Sequence, residues 1–459
     1  MGNSGNRLGI KYLALATASL CLVLDAAAQD SPNADARISI ESDILLAYTY
    51  ADLTPPLGSI DSMRLLRPVS DFTATLEASS GLGVTITTRL VPEYRAPGEF
   101  NVPIGQSGNP VAIENNLMMA GILYAPVFDG LLRIGRQKVE LGPSRLSGLQ
   151  IDAHVPYLDA IYYSLPIGKL EMTQVIATLE NRSGAVDVGS FLPISPDSEH
   201  YGFGISQILL SSRRFAWKLD RVELGLGVQS LFSRYNNAFQ LGDILPIFSV
   251  HNGSVGSNNI SFIFDVEFNV AKDHRQYFVL GFDDFNANLF GVNDSGIPTI
   301  WAVQGGLSGT FRSGSVSLDY DTEVVATQYL WGSFDDDLAL SRSIYRLRAD
   351  GKPLVLPLSS PFGPGRLSFE AVATVRMPGW FDIGCSGLLL YGDPSINLTS
   401  TSYVANDVSY EFMLLRLGVS LTRDLGSGLS LTAGCGGDLL PGGFSPRLEM
   451  SGAWHFANR

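Results

Sequence analysis

A chain of 459 residues with 45% apolar residues, 48 glycines and 17% charged residues is neither disordered nor a helical repeat; that balance suits many strands and tight turns facing an apolar surround. The formal net charge of -14 removes nucleic acid from the expected partners, because a phosphate backbone is bound through surplus Lys and Arg. Beyond residue 28 the longest apolar stretch, Leu117 to Phe128, is broken by Gly121 and Pro126 and falls short of the roughly 18 to 20 residues a membrane-crossing helix needs.

At the start of the chain, Arg7 and Lys11 precede an apolar run from Tyr12 to Leu24, and Ala26-Ala27-Ala28 follows. A charged beginning, a short apolar middle and small residues at the end make a secretory signal peptide. The expected organisation is therefore a signal peptide over 1–28 followed by one mature domain over 29–459. Cys21 offers a lipoprotein site instead, but Leu20 before it is larger than the small residue such a site uses. Loss of Arg7, Lys11 and Asp25 with the leader leaves a net charge near -15. That acidity suits the solubility of long loops, and it is compatible with lipopolysaccharide bridged by divalent cations.

Period-two alternation then recurs along the chain. Phe264, Val266, Phe268 and Val270 alternate with Asp265, Glu267 and Asn269. Leu367, Phe369, Ala371, Ala373 and Val375 share one face, and Arg366, Ser368, Glu370, Thr374 and Arg376 the other. Val316, Leu318, Tyr320 and Val324 alternate with Ser317, Asp319, Asp321 and Glu323. A soluble sandwich also alternates. Several charges on one strand face, with runs near the 9 to 11 residues that cross a bilayer, favour a wet lumen and a lipid-facing exterior.

Strands are expected at 37–51, 62–78, 82–96, 115–128, 130–141, 159–168, 169–181, 199–212 and 219–234. The second half supplies 258–272, 273–288, 299–311, 314–331, 366–378, 379–393, 406–424, 427–436 and 445–456. The fold class is thus all-β, a transmembrane antiparallel β-barrel of about 18 strands. Connections after odd strands are long (52–61, 97–114, 142–158, 182–198, 235–257, 289–298, 332–365, 394–405 and, shortest, 437–444), and those after even strands are a few residues each. Long outside and short on the periplasmic side is the outer-membrane rule. Leu448, Met450, Gly452, Trp454 and Phe456 give the last strand an apolar face ending in aromatics, resembling the terminal signal of outer-membrane barrels, although Ala457-Asn458-Arg459 follow.

Chemistry is sparse. His154, His200, His251, His274 and His455 have no metal-ligand spacing, and no phosphate loop or nucleophile elbow is present. No cofactor, metal or enzymatic activity is expected. His274 with Asp283-Asp284 would be the one candidate for a barrel-rim hydrolase, but adjacent strand residues point to opposite faces. Cys385 and Cys435 should have one strand between them, about 9.6 Å apart, which exceeds the roughly 7 Å limit for a disulfide. They are expected to be free and buried.

One segment stands out. Residues 132–145 run from an alternating strand into Gly142-Pro143, with Arg136, Lys138 and Glu140 on one face, assigned to the lumen. One reading is a lumen ion-pair ladder ending in a turn. The other is an inward loop offering Arg136, Lys138, Arg145, Gln150, Asp152, His154, Tyr157 and Asp159 to a glycan, as hydroxyl-matching polar groups beside a flat aromatic face.

The stretch from Gly135-Arg136 to Gly142-Pro143, with Gln150-Ile151-Asp152 and Pro156-Tyr157-Leu158-Asp159, resembles the Wzi-type capsule-assembly family. Leu241-Gly242-Asp243-Ile244-Leu245-Pro246, the Tyr277 to Asp284 strand, Asp350-Gly351-Lys352-Pro353-Leu354 and Gly363-Pro364 add to the likeness in the same order. Leu141 stands where family members usually carry Trp, and their N-terminal periplasmic helical part has no counterpart. The resemblance implies a non-enzymatic barrel that binds surface or capsular polysaccharide. The alternative is a general or selective porin, since barrels of 16 to 18 strands can enclose water. The segment 332–365, with Val355 to Leu358 and Pro361-Phe362, looks able to fold inward and plug the lumen. Expected partners are outer-membrane lipid, lipopolysaccharide-like lipid, the barrel-assembly machinery and a surface polysaccharide. On the lumen face, Arg at Asp265 or Glu267 is expected to be tolerated because the groups there stay hydrated.

The mature protein should begin at Gln29. Intact mass of outer-membrane material checks this, and a lipid-modified Cys21 would overturn it.

Overall fold

The computed structural model describes residues 36–51, 70–78, 81–95, 112–153, 155, 158–181, 207–232, 258–284, 299–332, 344–349, 352–355, 358–393, 396 and 412–458. The alternating runs become strands β1 (Ala36–Ala51), β2 (Ser70–Ala78), β3 (Gly83–Arg95), β4 (Ala112–Val127) and β5 (Gly130–Gln137). There follow β6 (Leu158–Ile167), β7 (Leu170–Asn181), β8 (Gln207–Lys218), β9 (Val222–Phe232) and β10 (Asn258–Ala271). Next come β11 (His274–Asp284), β12 (Ile300–Ser313), β13 (Val316–Thr327) and a small hairpin of β14 (Ile344–Ala349) and β15 (Lys352–Val355). The chain finishes with β16 (Arg366–Arg376), β17 (Asp382–Gly392), β18 (Phe412–Gly426), β19 (Leu429–Leu440) and β20 (Gly443–Asn458).

Each wall strand pairs antiparallel with its successor, and β13 passes directly to β16. β20 returns to β1 over Ile40↔Asn458 to Ala51↔Arg447. Eighteen strands therefore form one ring, in which every strand finds a partner on both sides, as a hydrocarbon surround requires. The protein is a transmembrane antiparallel β-barrel.

Turn chemistry fixes which end is which. Phe128 and Asp129 both take positive φ (48° and 63°), as do Ser427 and Gly428 (52° and 77°), and such pairs make the two-residue turns whose twist matches flanking strands. These turns, with those at 168–169, 272–273 and 314–315, lie at the short-loop end, which is periplasmic. The opposite end carries the long connections. One departure is 441–442, a two-residue connection where 437–444 was expected, because β19 and β20 both run further toward it.

Facing follows the alternation. Phe264 and Phe268 are 47% and 43% exposed, whereas Ile263 and Asp265 are 1% and 5%. On β16, Leu367 and Phe369 point outward, and Arg366, Ser368 and Glu370 are buried inward. Cys385 and Cys435 both sit opposite Val419 on either side of β18. They are free, as the spacing requires, but they are exposed on the outward face rather than buried.

Three expectations need correction. The eighth strand was expected at 199–212 but runs Gln207–Lys218, because the Arg213-Arg214 pair is not a turn. Arg214 points inward and binds Asp265 at 3.2 and 2.6 Å and Glu223 at 2.8 Å. The hairpin β14–β15 within the segment 332–365 was not foreseen. Nor is the lumen uniformly wet. Asp265 has a fully buried side chain, so an Arg there would meet Arg214 without water to screen it.

Phe264→Arg or Phe268→Arg should impair assembly, since a cation on the lipid face costs about 2–4 kcal/mol near the midplane. Asp265→Arg should be as damaging, while Glu267→Gln, which leaves one exchangeable partner of Arg275 in place, should fold in wild-type yield. Heat-modifiable mobility on gels reads all four, and wild-type folding of both Phe variants would reverse the facing assignment.

Candidate functional site

The loop after β5 turns into the barrel. On β5 and just beyond it, Gln137, Val139 and Leu141 are buried, so these positions face inward. Ile134 stands opposite Ile161 and Arg136 opposite Asp159 on the other face, where both isoleucines are exposed. Arg136 donates to Asp159 at 2.7 and 2.8 Å, and Lys138 lies 2.9 Å from Glu140. The lumen assignment of Arg136, Lys138 and Glu140 is therefore reversed. The physical reason is that the lumen is apolar at this height. Val139, Leu141, Ile151, Val155, Leu158, Val175, Leu210, Leu231 and Leu358 form one buried cluster, and the charges are left on the outer rim.

From the rim the chain crosses to the far wall. Leu141 and Ile151 bridge in antiparallel fashion, and Leu141 N donates to Ile151 O at 3.1 Å. Between them, the backbone N–H groups of Arg145, Leu146 and Ser147 converge on the Glu323 carboxylate at 2.7, 2.9 and 2.7 Å. Three consecutive amides make a concave donor nest for an anion. Tyr277 OH donates to the same carboxylate, and Gln304 Nε2 does so at 3.0 Å while also reaching Ser147 O. Glu323 is 3% exposed, so these donors replace the water it has lost.

Further along, Gln150 Nε2 donates to Ser212 Oγ at 3.0 Å and Arg213 O at 2.8 Å. Gly227 makes room for it: a Cβ there would fall 2.6 Å from Gln150 Oε1. Asp152 is buried and accepts from Gly148 N. Its own N–H donates to Leu358 O at 2.8 Å.

That last bond joins a second loop, 328–365, which arrives from β13 on the opposite wall. Trp331 lies over Gly281, whose added Cβ would meet the indole at 2.5 Å. Its Nε1 donates to Ser359 Oγ at 3.0 Å. Trp331 and Leu330 join Leu149 of the first loop in a cluster with Ile263, Tyr277, Val279 and Ile300. Phe362 packs on Leu388, Leu390 and Leu414. The hairpin β14–β15 carries this loop across the barrel, where β14 lies against β3 and β7. The segment expected to fold inward does so, together with a loop from the other side.

The expected site residues thus divide. Gln150 and Asp152 hold the plug. Arg136, Lys138 and Asp159 sit together on the outer rim. The Arg145 side chain is half exposed and 3.7 Å from Asp321, one inward-facing position nearer the 314–315 turn than Glu323. It therefore points beneath the plug. His154 and Tyr157 lie outside the described residues. His274 and Asp283 occupy opposite ends of β11, where His274 shares a hydrogen bond of 3.0 Å with Tyr320 OH and Asp283 accepts from Gly332 N at 3.3 Å. Among the described residues, no three His, Cys, Asp or Glu side chains cluster as a metal site. Glu323, Gln304 and Tyr277, missed in the sequence, carry the plug. Nothing local distinguishes Glu323 from other inward acids of alternating strands.

Against models of protein families and against curated proteins the sequence finds no match. Among solved structures the fold is similar to Wzi of Escherichia coli, described as an outer membrane protein involved in group 1 capsule assembly and a carbohydrate-binding β-barrel. The TM-score is 0.52 at 11% identity, over 96% of this chain and 88% of that one. OccK3 (OpdO) of Pseudomonas aeruginosa matches with a TM-score of 0.46 at 10% identity, over 93% and 96% of the two chains. The outer membrane protein OprD of the same organism matches at 0.45 and 10%, over 92% and 94%. The fold is that of an outer-membrane β-barrel.

Glu323→Ala should loosen the first loop, because several amides lose their acceptor inside the barrel, at about 1–3 kcal/mol for each group left unsatisfied. Barrel yield should be unchanged, while protease cleavage within 142–153 should rise. Cleavage at the wild-type rate would show that the carboxylate does not secure the loop.

Proposed function

We propose that this protein is a non-enzymatic outer-membrane barrel that binds surface or capsular polysaccharide. The observation that carries the reading is the meeting of two loops from opposite walls, through Asp152 N and Leu358 O at 2.8 Å, in a lumen that a conduit for solutes would keep clear. The described activity of Wzi, a carbohydrate-binding barrel involved in capsule assembly, supports it, as do the resemblances in the segments around Gly142-Pro143. In this reading the outer rim meets the glycan. Arg136, Lys138 and Asp159 offer charge and hydrogen bonds there, and His154 and Tyr157 belong to this reading by their sequence pattern alone. Gln150 and Asp152 act indirectly by holding the loop that joins β5 to β6, and Arg145 serves the lumen below. Outer-membrane lipid and lipopolysaccharide-like lipid surround the wall, and the barrel-assembly machinery inserts it.

A second reading is a channel. It is favoured by the wall opposite the first loop's root, where Thr374, Ser386, Gly418, Ser420, Gly434 and Gly436 border a cavity of about 360 Å³. Small and hydroxyl-bearing side chains leave space for hydrated solute.

Two measurements on the same protein separate the readings. In planar bilayers the wild type should conduct poorly, and deletion of much of 332–365 should raise conductance while heat-modifiable folding persists. On intact cells, Arg136→Ala with Lys138→Ala should reduce retained glycan severalfold without changing barrel yield. High conductance of the intact protein, with no glycan retained, would transfer the assignment to a channel.

A further inference from the structure

Beneath the plug, one inward-facing row of the wall differs from the rest. Glu77 on β2 faces Gly83 on β3, which faces Tyr124 on β4, which faces Arg133 on β5, which faces Tyr162 on β6. The row faces the lumen because Leu76, Val84, Leu123 and Ile134 beside it are exposed on the outward face, and because Tyr162 packs against the buried apolar cluster of the plug. It lies near the 128–129 and 168–169 turns, so it opens toward the periplasm.

Tyr124 lies flat across Gly83: a Cβ at that glycine would fall 2.1 Å from the ring. Its hydroxyl hydrogen-bonds Glu77. Arg133 stacks its guanidinium on the Tyr162 ring, 3.9 Å from the centroid. Tyr124, Arg133 and Tyr162 are each half-buried, leaving part of each to the lumen. On the neighbouring row, the Thr75 and Thr85 hydroxyls share a hydrogen bond of 3.0 Å.

Arg133 is the unusual member. The inward-facing Arg214, Arg275, Arg376 and Arg416 are each bound to a carboxylate. Among the described residues Arg133 has no carboxylate in ion-pair range, and its Nε is buried without a hydrogen-bond partner. A guanidinium held flat on one ring face, with unused donors, suits a planar carboxylate bound through two parallel hydrogen bonds. The rings suit the C–H face of a pyranose, whose weakly positive hydrogens meet the negative π face. β4 and β6 are two strand spacings apart, about 9.5 Å, so the two rings offer separate faces, Tyr162 beside the guanidinium and Tyr124 over β3.

We propose that Tyr124, Arg133 and Tyr162 form a periplasm-facing subsite for an acidic oligosaccharide, with the uronate carboxylate on Arg133 and sugar rings on the tyrosines. The inference rests on the polysaccharide-binding reading but concerns a different face: the rim would meet surface glycan, and this row would meet glycan from below. Glu77 and the threonine hydroxyls accept and donate to sugar hydroxyls around it.

The test uses the full mature barrel in detergent, where both mouths are open, titrated calorimetrically with a tetragalacturonate and with maltotetraose as the uncharged control. Wild type should prefer the acidic probe. Arg133→Gln should weaken it about tenfold or more, the scale of losing a charge-assisted pair, while changing the uncharged control little. Tyr124→Ala and Tyr162→Leu should weaken both probes, Tyr162→Leu being chosen because it keeps apolar packing against the plug. Tyr162→Phe keeps the ring face and should bind as wild type. The Arg133→Gln loss should appear equally on a background that carries the rim variants Arg136→Ala and Lys138→Ala, which removes the rim's own share of the titration. Wild-type affinity in Arg133→Gln, or no preference for the acidic probe in wild type, overturns the subsite and leaves the rim reading standing. Loss of cell-surface glycan binding from the wild type, with the titration intact, overturns the rim reading alone.

Discussion

The contents of this barrel are organised around one carboxylate. Glu323 sits on the inner face of β13 with 3% of its surface exposed, and an ionised group so placed needs several donors in place of water. The wall cannot give them from its backbone, because strand N–H groups are already committed to neighbouring strands. A loop has uncommitted amides, and three in succession, from Arg145 to Ser147, meet the two carboxylate oxygens. The requirement for donors at that point brings the loop from β5 across the lumen to β13.

Once there, that loop decides what surrounds it. Leu149 enters the cluster of Tyr277, Val279 and Ile300, and Ile151 enters the cluster on β6, β7 and β8. The second loop closes over the first by accepting Asp152 N at Leu358 O and by placing Leu358 against Leu141 and Ile151. Neither loop buries its apolar residues alone. A loosened Glu323 contact would therefore reach the second loop through shared packing, although the two are rooted on opposite walls. The same filling reverses the polarity of the rim. Where the lumen is dry, Val139 and Leu141 turn inward, and Arg136 and Lys138 are left outside. The inward charges lie elsewhere along the wall, in pairs such as Arg214–Asp265 and Arg275–Glu267.

The wall was legible in the sequence because a period of two residues is a local property, and each strand carries its own record of which face meets lipid. Phe264 and Asp265 are told apart by neighbours alone. Boundaries failed where local composition misleads. Arg213-Arg214 looks like a polar turn, yet it continues β8 because Asp265 and Glu223, on other strands, take up the Arg214 charge. The contents were less legible. The inward folding of 332–365 follows from its unusual apolar content, but the face of Arg136 depends on what fills the lumen beside it, which no local pattern records. Glu323 looks in sequence like Glu267 or Glu370. Its role appears only when a loop from the far wall arrives with three amides.

Glycine placement connects the two halves of the barrel. Inward-facing glycines stand under the large groups that fill one side: Gly281 under Trp331, Gly227 under Gln150, Gly225 under Asp265 and Gly306 under Tyr277, each with room for a Cβ already taken. A side chain at Gly281 or Gly227 would push against a docked loop, and one at Gly225 or Gly306 against a large inward side chain of the neighbouring strand. On β17 and β18 two inward glycines instead meet small neighbours, as Gly418 meets Ser386 Oγ and Gly384 meets Ser420 Oγ. There the thin wall borders open volume, the cavity of about 360 Å³. The same residue type thus makes room for the plug on one side and keeps space free on the other. A barrel of this strand number would hold an aqueous lumen if left empty. Among the described residues the two docked loops fill one side of it, and the small residues of β17 to β19 border a cavity on the other.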